Sequence, residues 1–383
     1  LVTESQQLNN KNPQGEFLVQ YENPVGSGAW ILNKEETNTQ IITLDRNLNY
    51  HLKDENGDAL YKVDKIKIML YLDSNTAIFA LRKGYVDMLD TTISSNYLAL
   101  LKQEEDIYVS QAAGTYTTCL VLNVNPSDPY NKGMKVLLQD KQVRKALALA
   151  INQEELVAYV LNGAGQTAPA GLILPSNELL YNKEANILSE DMESRISEAN
   201  AILDKLYPEK DEDGYRLLNG EKISFEILTA SAQQDLVAYL QKQFQRIGID
   251  VQFQASGSTP ESTYIYPSNF DMTVQNVILS MSNADIMYKA HFVTQERSSN
   301  YGKFQNDAIT TIIDEMRYTL NEDLKVELIQ KLQKELAEEY YKIPLYASDV
   351  LSVARTDRFT GFVAAPGQTV FNVDTLANLE KVE

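Results

Sequence analysis

Several residue types are scarce in this sequence of 383 residues, and each scarcity removes a class of function. There is one cysteine, Cys119. An internal disulfide is therefore excluded, and so is a zinc site built from thiolates. That is compatible with a Gram-positive exterior and with a cytosol alike. Histidine occurs twice, as His51 and His291, which leaves little material for a multi-histidine metal centre or a His-dependent catalytic triad. No metal and no cofactor are expected. Positive charge is in deficit: 34 Lys and Arg stand against 53 Asp and Glu, a formal net charge of -19. Nucleic-acid binding needs a basic surface, so that role is excluded. The same charge suits a soluble surface and, weakly, a partner with a cationic end. No run of about 18 apolar residues occurs, so no membrane-spanning helix is expected.

What is present is ordinary for a globular protein, with 44% apolar and 23% charged residues. At about 100–200 residues per domain, the length implies two or three lobes. Tyrosine is abundant, at 22 residues. Its apolar face and polar tip suit half-buried structure and pocket linings. The chain opens at Leu1, and its first twenty residues read as sequence from the middle of a domain, so a fragment is expected.

Periodicity gives an alternation of strands and helices. "AWILNKEETNTQIITLDRNLNY" reads as a hairpin with strands near 29–34 and 39–45. "VDKIKIMLYL" (63–72) is a strand, Asp73 or Ser74 caps a helix near 75–83, Gly84 stops it, and "YVDML" returns as a short strand. "TYTTCLVLNVN" (115–125) is a strand. Its Cys119 is expected to be a buried small hydrophobe rather than a reactive thiol, because no histidine or basic residue neighbours it in sequence. Val143, Leu147, Ala150 and Ile151 mark one helix face. Asn152 with Glu155 resembles a capping box opening a second helix that Asn162-Gly163 ends. A helix covers 190–206. "KISFEILT" (222–229), the helical spacing of Leu236, Leu240, Phe244 and Ile247, the stop at Gly248, and "IDVQFQ" (249–254) make a β-α-β unit. Two long helices follow near 306–319 and 322–340. "IPLYASDVLSVART" closes as extended chain. The class is α/β.

Three motifs suggest chemistry and fail on context. "GAGQTA" (Gly163 to Ala168) fits G-x-G-x-x-A, but a dinucleotide loop must follow a strand and open a helix, and this one follows a helix. "KDEDGYRLLNGEKI" is similar to a calcium loop. Counted from Glu209, its twelfth position is Gly220, with Glu221 one residue late, so a Gly-tipped hairpin is the better reading. In "ENPVGSGAW" (Glu22 to Trp30) the "GSG" lacks the strand–turn–helix setting of a nucleophile elbow and the G-K-[ST] of a P-loop. It reads as a turn feeding a hairpin.

In order along the chain, "NPVGSGAW" with "ITLDRNLNY", "ALRKGYVDML", "TCLVLNVN", "QVRKALALAINQEELVAYVLNGAGQTAPAGLILP", "LQKQFQRIGIDVQF" and "IQKLQKELAEEYYKIPLYASDV" resemble the signature elements of family 5 extracellular solute-binding proteins. These are the peptide- and nickel-type receptors of ABC importers. The resemblance covers nearly the whole chain, and its collinearity is more specific than any single motif. It implies a type II periplasmic-binding-protein fold of two lobes joined by hinge strands, here N-terminally truncated, since family members carry a substantial region before this point. Residues 1–122 and 342–383 would be the remainder of lobe I and 123–341 lobe II, with crossings near Cys119–Val124 and Lys342–Tyr346.

The function the resemblance implies is capture of an extracellular solute, above all an oligopeptide, between two lobes that close by hinge motion. Delivery would be to importer permease subunits by a monomeric receptor, cell-surface anchored or periplasmic, held to the membrane only through a missing N-terminal anchor. A fragment with an incomplete lobe I would bind peptide weakly or not at all. A nickel chelate, haem or an oligosaccharide is the alternative cargo. The rival from another class is a hydrolase using paired carboxylates. Peptide receptors of this family carry an Asp seven residues before a Phe that pairs with the peptide's α-ammonium group, and Asp285 with Phe292 keeps that spacing. The ligand-binding residues implied are Asp285 with its neighbours Asn283, Ser282 and Lys289. Lys289 stands where the family has Pro and would offset the acid or meet a ligand carboxylate. Ser282 stands where an aromatic is often found. The structural alternative is that Asp285 caps a helix beginning near Ile286.

Overall fold

A computed structural model describes residues 26–127, 133–257, 259–278, 284–295 and 298–382. The chain divides into two compact units, one formed by residues up to 113 together with 350–383, the other by 114–349.

In the first unit β1 (Trp30–Leu32), β2 (Ile41–Arg46) and β3 (Lys65–Met69) form an antiparallel sheet, with Trp30 opposite Arg46 and Ile41 opposite Met69. The expected hairpin is β1–β2. Of the "ENPVGSGAW" turn, residues 22–25 lie outside the described residues. Helix α1 (Ser74–Arg82) starts where Asp73 accepts a hydrogen bond from the Thr76 amide and ends before Gly84, whose φ of +72° suits glycine. The expected return strand over 85–89 does not form. Met88 makes one isolated bridge to Ala354, in a different sheet from β3, so no β-α-β unit closes here. A short helix α2 (Leu98–Leu101) leads to β4 (Ile107–Ala112).

The second unit holds β5 (Thr117–Leu122), α3 (Lys141–Ala150), α4 (Gln153–Val160), β6 (Gly165–Gln166) and α5 (Met192–Leu206). A small hairpin, β7 (Leu217–Leu218) and β8 (Glu221–Lys222), precedes β9 (Ser224–Thr229), α6 (Gln234–Gln245), β10 (Asp250–Ala255) and β11 (Met272–Val277). Then come α7 (Ala284–Phe292), α8 (Asp307–Tyr318), α9 (Glu322–Glu339) and β12 (Lys342–Ser348). The chain finishes in the first unit with β13 (Val350–Arg355), β14 (Phe359–Thr360), α10 (Val373–Asn378) and β15 (Glu380–Lys381). There β13 pairs antiparallel with β4, Val350 opposite Ala112 through Arg355 opposite Ile107.

One six-stranded sheet organises the second unit, in the order β10-β9-β11-β5-β12-β6. β9 and β10 are parallel, Ser224 opposite Asp250, and α6 joins them. Its Leu236, Leu240 and Phe244 are buried, as the helical spacing predicts. Each such side chain contributes roughly 1.5–3 kcal/mol of burial. β5 runs antiparallel to both neighbours, Leu120 facing Val274 of β11 and Ile343 of β12. Every residue of β5 is buried, Thr117 and Thr118 as well as the apolar Cys119 to Leu122, as fits a central strand covered on both faces.

The division differs from the boundaries expected at 122/123 and 341/342. The units part between Ala113 and Gly114 and between Asp349 and Val350. The reason is physical: the expected boundaries would leave β5 and β12 in one lobe and β11 and β6 in the other, yet β5 pairs with β11 and β12 with β6, so the cut would run through the six-stranded sheet. The "GAGQTA" segment supplies β6, an edge strand against β12, and opens no helix. The acidic loop ends in the β7–β8 hairpin turned by Asn219 and Gly220, both at positive φ. Among the described residues no cluster of three or more His, Cys, Asp or Glu could hold a metal.

Candidate functional site

A cavity of about 400 Å³ lies wholly within the second unit. It opens at the carboxyl ends of β9, β10 and β11, where Thr229, Ser256 and Ile278 line it. The position follows from topology. From β9 the chain crosses outward to β10, while β11 adds on the other side of β9, so the strand order reverses there. In open α/β sheets such a reversal leaves a crevice beyond the strand ends. Ser256 N donates to Thr229 O at 2.9 Å and continues the β9–β10 ladder to the cavity. Between β9 and α6 a short turn, Ser231–Gln233, has no side-chain cap at Ala230, and α6 has none at Gln233; both residues line the cavity. The first amides of this helical segment thus bring donor capacity and a partial positive charge to the wall.

The opposite wall comes from α7 and the segment after it, through Met287, His291, Ser299 and Tyr301. Behind this wall sits Lys342, the first residue of β12, 5% exposed. Its ammonium donates to Gln275 Oε1, to Ser299 O at 3.2 Å and to His291 Nδ1 at 3.3 Å. The rings of Phe292 and Tyr341 lie 5.5 Å from it. Among the described residues no carboxylate pairs with it, whereas the exposed lysines Lys65, Lys145 and Lys334 all have acidic partners. Burial pushes the Lys342 ammonium down to about 7. Burial, and then the charge of Lys342, push His291 down to about 3, against a smaller opposing hydrogen bond to the Ser299 backbone. His291 is therefore neutral at physiological pH. Cys119, beneath on β5, is fully buried as expected, and burial raises its thiol to about 12.

The residues expected from sequence are placed as follows. Ser282 and Asn283 lie outside the described residues. Asp285 is the second residue of α7, so the helix begins two positions before the expected Ile286 and Asp285 sits inside its first turn rather than at its cap. An acid there interacts favourably with the helix dipole. Asp285 is half-buried and makes no ion pair among the described residues. Lys289, one turn on, reaches Asp314 of α8 at 3.9 Å. Met287 and His291 form the other pair at helical spacing, and these face the cavity. At 100° per residue the Asp285–Lys289 stripe stands roughly opposite the Met287–His291 stripe.

Sequence reasoning missed Lys342, His291 and Gln275. One signal was available: a lysine set in the apolar strand "KIPLYAS", whose first six residues are all buried.

Comparison with known proteins adds the lineage. Residues 9–299 match the model of "Bacterial extracellular solute-binding proteins, family 5 Middle". The oligopeptide-binding protein AppA of Bacillus subtilis (strain 168) is 23% identical over 357 residues, which is 92% of this chain and 61% of that relative, so the chain spans about three fifths of its length. Among solved structures, the periplasmic oligopeptide-binding protein of an oligopeptide ABC transporter from Thermotoga maritima is similar with a TM-score of 0.77 at 24% identity, over 95% of this chain and 71% of that one. NikZ from Campylobacter jejuni, in complex with Ni(L-His), is similar with a TM-score of 0.71 at 20% identity, over 96% of this chain and 71% of that one. Both likenesses establish the fold, the mixed α/β architecture of periplasmic binding proteins.

Proposed function

Because the chain belongs to family 5 of the bacterial extracellular solute-binding proteins, we propose that it serves as the solute-capturing component of an ABC importer and that its cargo is an oligopeptide. The observation that carries this is the family match over residues 9–299, well over half of the chain. The peptide reading is supported by the oligopeptide-binding relative that aligns with 92% of it. Such a role needs no bond-making chemistry. A concave cavity of mixed polar and apolar lining at the strand ends suits it. No described helix is long and apolar enough to cross a membrane. The partners this reading implies are the importer's permease subunits.

Mass spectrometry of the ligand co-purifying with the full-length protein tests the cargo. Peptides are expected; a metal chelate, haem or an oligosaccharide in their place would overturn the reading. Calorimetry with synthetic peptides should show binding, and prolonged incubation should leave the peptides intact.

Asp285 does not line the cavity, and we propose that it receives the peptide's α-ammonium group outside it, from the other face of α7. Its carboxylate is half-buried and has no cationic partner among the described residues, while Lys289 is drawn to Asp314. A charge-assisted hydrogen bond of this kind is worth about 2–5 kcal/mol when desolvated. Asp285→Asn should weaken binding of free peptides far more than of their N-acetylated counterparts. Equal losses for both would remove the role and leave Asp285 as a helix-dipole partner.

A further inference from the structure

The buried ammonium of Lys342 has no local structural counterpart. Its three polar contacts, Gln275 Oε1, His291 Nδ1 and Ser299 O, are all neutral acceptors. The aromatic faces of Phe292 and Tyr341 add partial negative potential but no charge. A buried cation in such surroundings is costly unless an anion comes near. All three acceptor residues also line the cavity, so the ammonium lies directly behind the cavity wall. It orders that wall. Gln275 turns its oxygen toward the cation and donates from Nε2 to Ser299 O at 3.0 Å, and His291 Nδ1 lies 3.3 Å from the ammonium, so the cation holds three groups of the wall in place.

Resting on the oligopeptide reading above, we propose that this cavity receives a carboxylate of the ligand and that Lys342, held behind its wall, is the residue that selects for it. The carboxylate is either an acidic side chain or the peptide's C-terminus. Glu261, also on the cavity's lining, opposes the selection only weakly: it is exposed at the rim and screened by solvent, whereas Lys342 is not. The uncapped helical turn at Ala230–Gln233 adds potential of the same sign as Lys342.

The groups facing Lys342 allow a pH test. They are His291 and Phe292 on α7, Gln275 on β11, Cys119 on β5, the Ser299 carbonyl and Tyr341. His291 is held down to about 3, Cys119 is raised to about 12, and burial raises Tyr341 as well. None of these changes charge between about pH 6 and pH 8.5, while Lys342, held near 7, loses its proton there.

Four synthetic pentapeptides serve as probes in calorimetry with the full-length protein: Ala-Ala-Glu-Ala-Ala and Ala-Ala-Gln-Ala-Ala, each with a free or an amidated C-terminus. At about pH 6 the wild type should prefer the carboxylate-bearing member by about tenfold. Glu over Gln marks a side-chain carboxylate; free over amidated marks the terminus. The preference should fall away by about pH 8.5, and Lys342→Met should show none at either pH. Should that variant not fold, the wild-type pH comparison decides alone. Equal binding of all four peptides at pH 6, or a preference that survives in Lys342→Met, overturns the proposal while leaving the peptide reading intact. No binding of any peptide overturns both.

Discussion

At the scale of single residues, burial sets the charge states. His291 has an ordinary value near 6.5 and about 3 in the fold. Between those limits the unfolded chain binds a proton that the folded chain does not, so stability present above pH 6.5 is lost as pH falls toward 3. Lys342 follows the same sign in a higher window. Its folded value near 7 lies below its ordinary 10.5, so stability rises as pH climbs from 7 toward 10.5, and the burial cost is felt in full below 7. The wild type should therefore lose stability on acidification in two separate ranges. In urea denaturation, His291→Gln should flatten the drop between about pH 6.5 and pH 4, by roughly 2–4 kcal/mol relative to wild type. An unchanged slope would show that His291 is not held neutral by its site. These residues were the least legible in the sequence. One lysine in an apolar strand hints at burial, but its contacts with Gln275, 67 residues earlier, and His291, 51 residues earlier, exist only once β11, α7 and β12 are assembled.

Elements with strong local signals were read with small boundary shifts. Asn152 accepts from the Glu155 amide at 3.2 Å and opens α4, and Gly248 at φ +75° closes the turn after α6. The misread strand over 85–89 meets β13 at only one bridge, between Met88 and Ala354. Sheet pairing is a non-local fact that a five-residue pattern cannot carry. A close approach between elements is equally silent in sequence. Gly302 lies against the end of β5, its N–H donating to Tyr341 Oη at 3.0 Å and its carbonyl accepting from Val124 N at 3.0 Å. A Cβ there would stand 2.0 Å from Leu122 O and 2.8 Å from the Tyr341 ring. Gly302→Ala should cost about 2–4 kcal/mol, since backbone must move. Asn321→Ala, which only removes the α9 cap, should cost about 1 kcal/mol. Equal costs in urea denaturation would mean that the loop yields without strain.

The whole molecule is built from one continuous and one discontinuous unit. Residues 114–349 contain the complete six-stranded sheet and the helices that join its strands. Expressed alone, this segment should unfold in a single cooperative transition with far-UV dichroism of a mixed α/β fold. The first unit needs both of its segments, because β4 pairs with β13 along its full length. Residues 26–113 without 350–382 should show neither cooperativity nor protection of the β4 amides from exchange. A cooperative transition in that short segment would show that its β1–β3 sheet and α1 suffice by themselves.

The sequence by itself determined the class and the lineage. Scarce cysteine and histidine, the acid excess, the periodicities and the collinear motifs all act locally or in chain order, and each could be read without coordinates. The tertiary structure decided where the units divide, because hydrogen bonds that tie β5 to β11 and β12 to β6 outweigh their positions in the chain. It also decided which face of α7 meets the cavity, selecting Met287 and His291 over the stripe of Asp285 and Lys289. It placed Lys342 in the dry interior behind that cavity. A lysine's charge is written in its codon, but the strength of its field depends on how much water surrounds it, and only packing removes the water.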